Sequence, residues 1–122
     1  MSSSTRITPA QLSRLVGLPD APTLIDVRIP DDVALDTRIL PTAEQRSHKT
    51  VADWACGYAG RRVVVICQRG LKLSEGVAAW LRHEGVAAEN LEGGFEAWRD
   101  NGGLLVSTRS LPPRDAQGRT LW

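Results

Sequence analysis

The strongest pattern along the chain is a run of four β-branched residues, Val63 to Ile66, that leads straight into Cys67. A continuous apolar run of this kind predicts a strand covered on both faces, over 62–67. Helical periodicity follows over 74–83, with Val77, Trp80 and Leu81 inward and Gly85 as the stop. A second apolar run, broken only by Asp26, predicts a strand over 23–27. Thr8-Pro9 has the form of an N-cap followed by Pro at the first helical position, and Leu12, Leu15 and Val16 supply a short apolar face that Gly17 and Pro19 end. Residues 50–58 predict a helix with Val51, Trp54, Ala55 and Tyr58 on one side and Cys56 as core or semi-buried packing. Residues 86–91 predict a short strand, Glu92-Gly93-Gly94 a turn, and 95–99 a further helix closed by Asn101-Gly102-Gly103. Between 28 and 49 the pattern fades. That stretch is polar, holds Pro30 and Pro41, and suggests only a short strand near Ile39-Leu40.

Strands that alternate with helices over short connections predict an α/β fold, with a mostly parallel central sheet and helices on both faces. Ligands in such sheets bind at the carboxyl ends of strands. Cys67 stands at one of these ends, just before a helix.

Composition narrows the partners. The chain has 122 residues, enough for one domain, and a net charge of +1, which gives no reason to expect nucleic acid or an anionic membrane. No apolar run approaches the roughly 20 residues needed to span a bilayer, and the first residues lack the apolar core of a secretory signal. The chain is therefore read as cytoplasmic. The two cysteines, Cys56 and Cys67, are then expected to be reduced. There is no CxxC pair, and His48 and His83 are not at zinc-ligand spacing, so a metal site is not expected. Residues 1–6 are expected to be flexible, 7–106 to form the domain, and 107–122 to be a tail. The tail is rich in Pro and Arg, and is either mobile or docked through Leu121 and Trp122.

Two readings of Cys67 are open. Cysteine is among the most buried residue types, and a strand-end cysteine is often inert packing. Against that, the segment from Gln68 to Leu73 leads into a helix N-terminus. Gly70 allows successive amides to curl into a nest, and Arg69 and Lys72 add two cations. These features favour a thiolate, or a small anion beside it. Asp26 and Arg28, at the end of the other predicted strand, have two readings, a support for the loop or an ordinary strand-end acid and its neighbour. Trp80 and Trp98 read as core, and His83 as a solvated helix end.

The order strand, Cys67, x, x, Gly70, x, Lys72, helix, together with LEGGFEAWRDNG at 91–102 and LIDVR at 24–28, resembles a single-domain rhodanese-like sulfurtransferase. Gly70, Ser74, Gly76, Val77, Ala78 and Ala79 make it most similar to the rhodanese domains of chromate-resistance-type sulfurtransferases. The resemblance implies a rhodanese-like fold and a thiosulfate sulfurtransferase that needs no metal or organic cofactor. Cys67 would take sulfane sulfur from a small anionic donor as a persulfide and pass it to cyanide or a protein thiol. It places Gln68, Arg69, Gly70, Leu71, Lys72 and Leu73 around the donor and Asp26, Arg28 and Ser74 in support. A binding or redox- and oxyanion-sensing module without catalysis is the alternative. The match departs from the family pattern at Lys72 and Leu73, where Arg and Ser are usual, so the loop is expected to be one residue longer. Phosphatase chemistry does not fit. Ile66 stands where His would precede the cysteine and Leu73 where an Arg would clasp the phosphoryl group.

Overall fold

The computed structural model describes residues 5–108. Five strands form one sheet in the order β1 (Arg6–Ile7), β5 (Ala87–Leu91), β4 (Arg62–Ile66), β2 (Thr23–Asp26), β3 (Glu44–Gln45), and every pairing is parallel. Register sets Asp26 opposite Ile66 on one side and opposite Gln45 on the other. The three strand ends therefore lie in one row.

Alternation along the strands sorts the core into two layers. Ile25, Val63 and Val65 face α3 (Val51–Trp54) and α4 (Lys72–His83). Leu24, Val64 and Ile66 face α1 (Pro9–Ser13) and α5 (Gly94–Asp100), from which Leu12, Phe95 and Trp98 project. Helices thus cover both faces, as the continuous apolar strands require. α1 opens on a reciprocal cap: Thr8 Oγ1 accepts from the Gln11 N–H while Gln11 Oε1 accepts from the Thr8 N–H.

Several expectations are corrected. Residues 28–49 contain a helix, α2 (Pro30–Leu35), and the short β3. α2 has Pro at its start and Asp31 and Asp32 in its first turn, but it buries no residue, so contact with the core does not impose a strong pattern on it. Ile39 makes only an isolated antiparallel bridge with Val106. Arg6 belongs to β1, inside the stretch expected to be flexible. The predicted 50–58 helix is α3 flanked by 3₁₀ turns at His48–Thr50 and Ala55–Tyr58. The period of three residues in the second turn buries Ala55 and Tyr58 and leaves Cys56 exposed rather than packed. Trp80 is 45% exposed, because the inward stripe of α4 runs through Ser74, Val77, Ala78 and Leu81. Trp98 is core and His83 is exposed, as predicted. The proposed docking of Leu121 and Trp122 lies outside the described residues.

Gly76 sits in the middle of α4, and a Cβ added there would meet nothing within 4 Å. Gly76→Ala should therefore stabilise the fold by about 0.5–1 kcal/mol. A thermal melt is expected to show a rise of roughly 4 °C.

Candidate functional site

β4 ends at Ile66 and α4 begins at Lys72, so five residues, Cys67 to Leu71, make the loop. This is shorter than the sequence suggested. Lys72 and Leu73 belong to the first turn of the helix, where Lys72 is exposed and Leu73 packs against the core. Ser74 also lies on the helix, and this brings its hydroxyl back to the cysteine. The Cys67 Sγ–H donates to Ser74 Oγ at 3.1 Å, and Ser74 Oγ–H donates to the Leu71 carbonyl at 3.3 Å. With the thiol deprotonated, the same hydroxyl can turn and donate to sulfur. The Gly70 N–H already donates to Sγ at 3.2 Å. Cys67 as a whole is only 4% exposed.

The loop carbonyls are held on the opposite side. The Phe95 N–H donates to the Cys67 carbonyl at 2.8 Å and the Glu96 N–H to the Gln68 carbonyl at 3.0 Å. Asn90 Nδ2 donates to the Gly70 carbonyl at 3.3 Å. Trans peptide planarity then turns the N–H groups of Gln68, Arg69 and Leu71 away from the β5–α5 turn. Leu71 gives no side-chain cap to α4, so first-turn amides of that helix remain for another acceptor. The result is a small surface of N–H donors around a sulfur, suited to hold a thiolate or an anion bonded to it.

Two glycines make this packing feasible. Gly70 has φ +69°, and a Cβ on it would lie 2.7 Å from the amide nitrogens of both Gly93 and Gly94. Gly94 has φ +64°, and a Cβ there would lie 2.5 Å from the Cys67 carbonyl oxygen and 2.8 Å from the Arg69 carbonyl carbon. The loop and the turn meet backbone to backbone, so no side chain fits between them.

Asp26 ends the neighbouring strand and pairs with Arg28 just beyond it. Arg28 Nε donates to both Asp26 carboxylate oxygens, at 3.2 and 3.0 Å. Its terminal nitrogens donate to the carbonyls of Asp36 and Arg38, at 2.8 and 2.9 Å. The guanidinium lies 3.9 Å from the centroid of Phe95, the residue whose N–H holds Cys67. The pair is buried. Burial pushes the Asp26 carboxyl above its ordinary range, and the Arg28 charge and hydrogen bonds pull it back. Neither side chain bonds directly to a loop amide.

The two loop cations differ. Arg69 is mostly exposed, with Nε 3.7 Å from Glu96 Oε2. Gln68 Nε2 also donates to that carboxylate, at 2.9 Å. Lys72 forms no ion pair among the described residues. Sequence reasoning did not assign Asn90, Phe95, Glu96 or Gly94 to the site. A polar Asn90 that is buried next to Leu91 in β5 was the available signal for one of them.

The sequence model of the rhodanese-like domain matches residues 8–101. The chain belongs to the rhodanese-like domain family. Solved rhodanese-like structures share its fold. A protein from Staphylococcus saprophyticus subsp. saprophyticus is 27% identical, with 80% of this chain and 96% of that one aligned at a TM-score of 0.68. A rhodanese-like domain protein from Staphylococcus aureus is 26% identical over 85% of this chain and 98% of that one, at 0.72. A thiosulfate sulfurtransferase from Pseudomonas aeruginosa, 21% identical, takes in 98% of this chain but only 22% of its own, at 0.72, a likeness of fold. No curated protein matches the chain. No described helix of this rhodanese-like chain is long and apolar enough to cross a membrane, and no described group of His, Cys, Asp and Glu could hold a metal ion.

Proposed function

We propose that the protein is a sulfurtransferase that carries sulfane sulfur on Cys67. The observation that carries this reading is the position of Sγ between the Gly70 N–H and the Ser74 hydroxyl, in a loop whose carbonyls at Cys67, Gln68 and Gly70 are all held by donors of β5 and α5. The Cys67 thiolate attacks the outer sulfur of thiosulfate or a similar donor. A new S–S bond forms, the donor's S–S bond breaks, and sulfite leaves with the electron pair. The loop amides hold the negative charge of the terminal sulfur, while Arg69 and Lys72 draw in the anionic donor. An acceptor, cyanide or a protein thiol, then attacks the outer sulfur, and the pair of the broken bond returns to Sγ. Family membership and the fold shared with a thiosulfate sulfurtransferase support the same reading.

Incubation with thiosulfate should add the mass of one sulfur to the protein, and cyanide should remove it as thiocyanate. Cys67→Ser should lower turnover by at least about a thousandfold, the scale seen when a covalent nucleophile is lost. An exposed cysteine, Cys56, provides the internal control: Cys56→Ser should leave the added sulfur in place. A wild-type protein that takes up no sulfur would instead be a binding module.

A further inference from the structure

A groove of about 570 Å³ opens over the carboxyl ends of β2 and β3, within the ordinary size range of small-ligand sites. It stands one strand away from Cys67, because Asp26 is in register with Ile66. No residue of the Cys67 loop lines it, so it is separate from the sulfur cradle.

The walls of the groove are of two kinds. Pro30, Val33 and Ala34 of α2 form an apolar side. These positions follow the i, i+3, i+4 rule, so Asp31 and Asp32 fall on other faces of the helix and do not line the groove. His48 and Lys49, in the 3₁₀ turn at His48–Thr50, line it as well. Neither side chain takes part in an ion pair among the described residues, and His48 carries a ring N–H donor whether or not it is protonated. The other charges that line the groove are balanced locally. Arg28 is paired with Asp26 at the floor, and Arg46 with Glu44. The unbalanced charge of the lining is therefore positive, and it shares the groove with the apolar residues of α2.

We infer that this groove binds a small organic anion, a monocarboxylate on a short aliphatic chain, with the chain against Val33 and Ala34 and the carboxylate at Lys49 and His48. An inorganic anion would leave the apolar wall unused, and a neutral alcohol would leave the cation of the lining uncompensated. The site does not depend on the sulfurtransfer reading, since it uses no residue of the loop.

Titration of the protein with hexanoate, followed through backbone amide resonances, should shift Val33, Ala34 and Lys49 together, with a dissociation constant on the order of millimolar. 1-Hexanol and sulfate should each bind at least about fivefold more weakly, because each satisfies only one side of the groove. Lys49→Glu, a change at an exposed side chain, should weaken hexanoate by about five- to tenfold and leave hexanol unaffected. Equal shifts from hexanoate and hexanol, equal shifts from hexanoate and sulfate, or no effect of Lys49→Glu would each overturn the inference. These outcomes are read without sulfur transfer, so a protein that forms no persulfide would leave the test intact.

Discussion

Gly94→Ala is expected to cost more than about 3 kcal/mol of stability and about a hundredfold in sulfur uptake from thiosulfate. Two penalties combine. A left-handed backbone costs an alanine roughly 1–2 kcal/mol. The larger penalty is steric, because the new Cβ would stand 2.5 Å from the Cys67 carbonyl oxygen and 2.8 Å from the Arg69 carbonyl carbon. Both are backbone atoms, which cannot rotate out of the way. To make room the loop must lift from the β5–α5 turn. The Phe95 and Glu96 hydrogen bonds to the Cys67 and Gln68 carbonyls would then be lost. Gly102→Ala separates the two penalties. Gly102 also has positive φ, at +79°, but a Cβ there would meet nothing within 4 Å. It should cost only the backbone term, about 1 kcal/mol, and leave sulfur uptake unchanged. Denaturant melts of the two variants, with persulfide formation measured by mass, check both expectations. Equal losses in the two would mean that the contact between loop and turn does not position Cys67.

Arg28→Met is the second large effect, at about 3–5 kcal/mol. It leaves the Asp26 carboxylate buried without its partner and removes donors to the carbonyls of Asp36 and Arg38. The deficit should depend on pH. Asp26 has its folded pKa raised above 3.8 by burial, and loss of Arg28 raises it further. A carboxyl with a raised folded pKa favours the folded state below its unfolded pKa, and that contribution is lost as pH rises through the folded value. The variant should therefore lie closer to wild type at about pH 4–5 than at pH 7. The double change Asp26→Leu with Arg28→Met should recover part of the loss, since an apolar pair of similar volume often replaces a buried ion pair. Recovery should stay incomplete, because the two carbonyls still lack donors. Should the single variant fail to fold, the double variant and Arg28→Lys carry the comparison. Arg28→Lys keeps the charge but loses the fork that reaches three partners at once, and about 1–3 kcal/mol is expected.

Much of the fold was legible where burial imposes a pattern. The β4 run is fixed by a core on two sides, and the sequence spells it out; on α4 the sequence showed Val77 and Leu81 but misplaced Trp80, which is exposed. The inward set Val51, Trp54, Ala55 and Tyr58 was also readable, although the backbone that carries it is part 3₁₀. α2 and β3 were not readable, because α2 buries nothing and β3 is two polar residues placed by pairing with β2. Within the site, Cys67, Gly70 and the following helix were visible as a local string. Ser74 was expected to support the loop, but not to bond the sulfur, because the helix starts at Lys72, before the predicted start, and so places Ser74 within its first turn. Asn90, Phe95 and Glu96 reach the loop from another strand and its following turn. Nothing local to them says which carbonyl they hold.

The outermost strands of the sheet, β1 and β3, are each two residues long, and each carries a charged residue, Arg6 and Glu44. Arg6 is paired with Glu75, and Glu44 with Arg46 and Tyr58. An incoming chain would find too few free N–H and C=O groups to extend the sheet, and would have to displace ion pairs to reach them. The long apolar strands that carry Cys67 are thereby shielded from edge-to-edge aggregation. Nearly uninterrupted hydrophobic sequence can be used at the centre of this small sheet without making the folded protein a template for fibres.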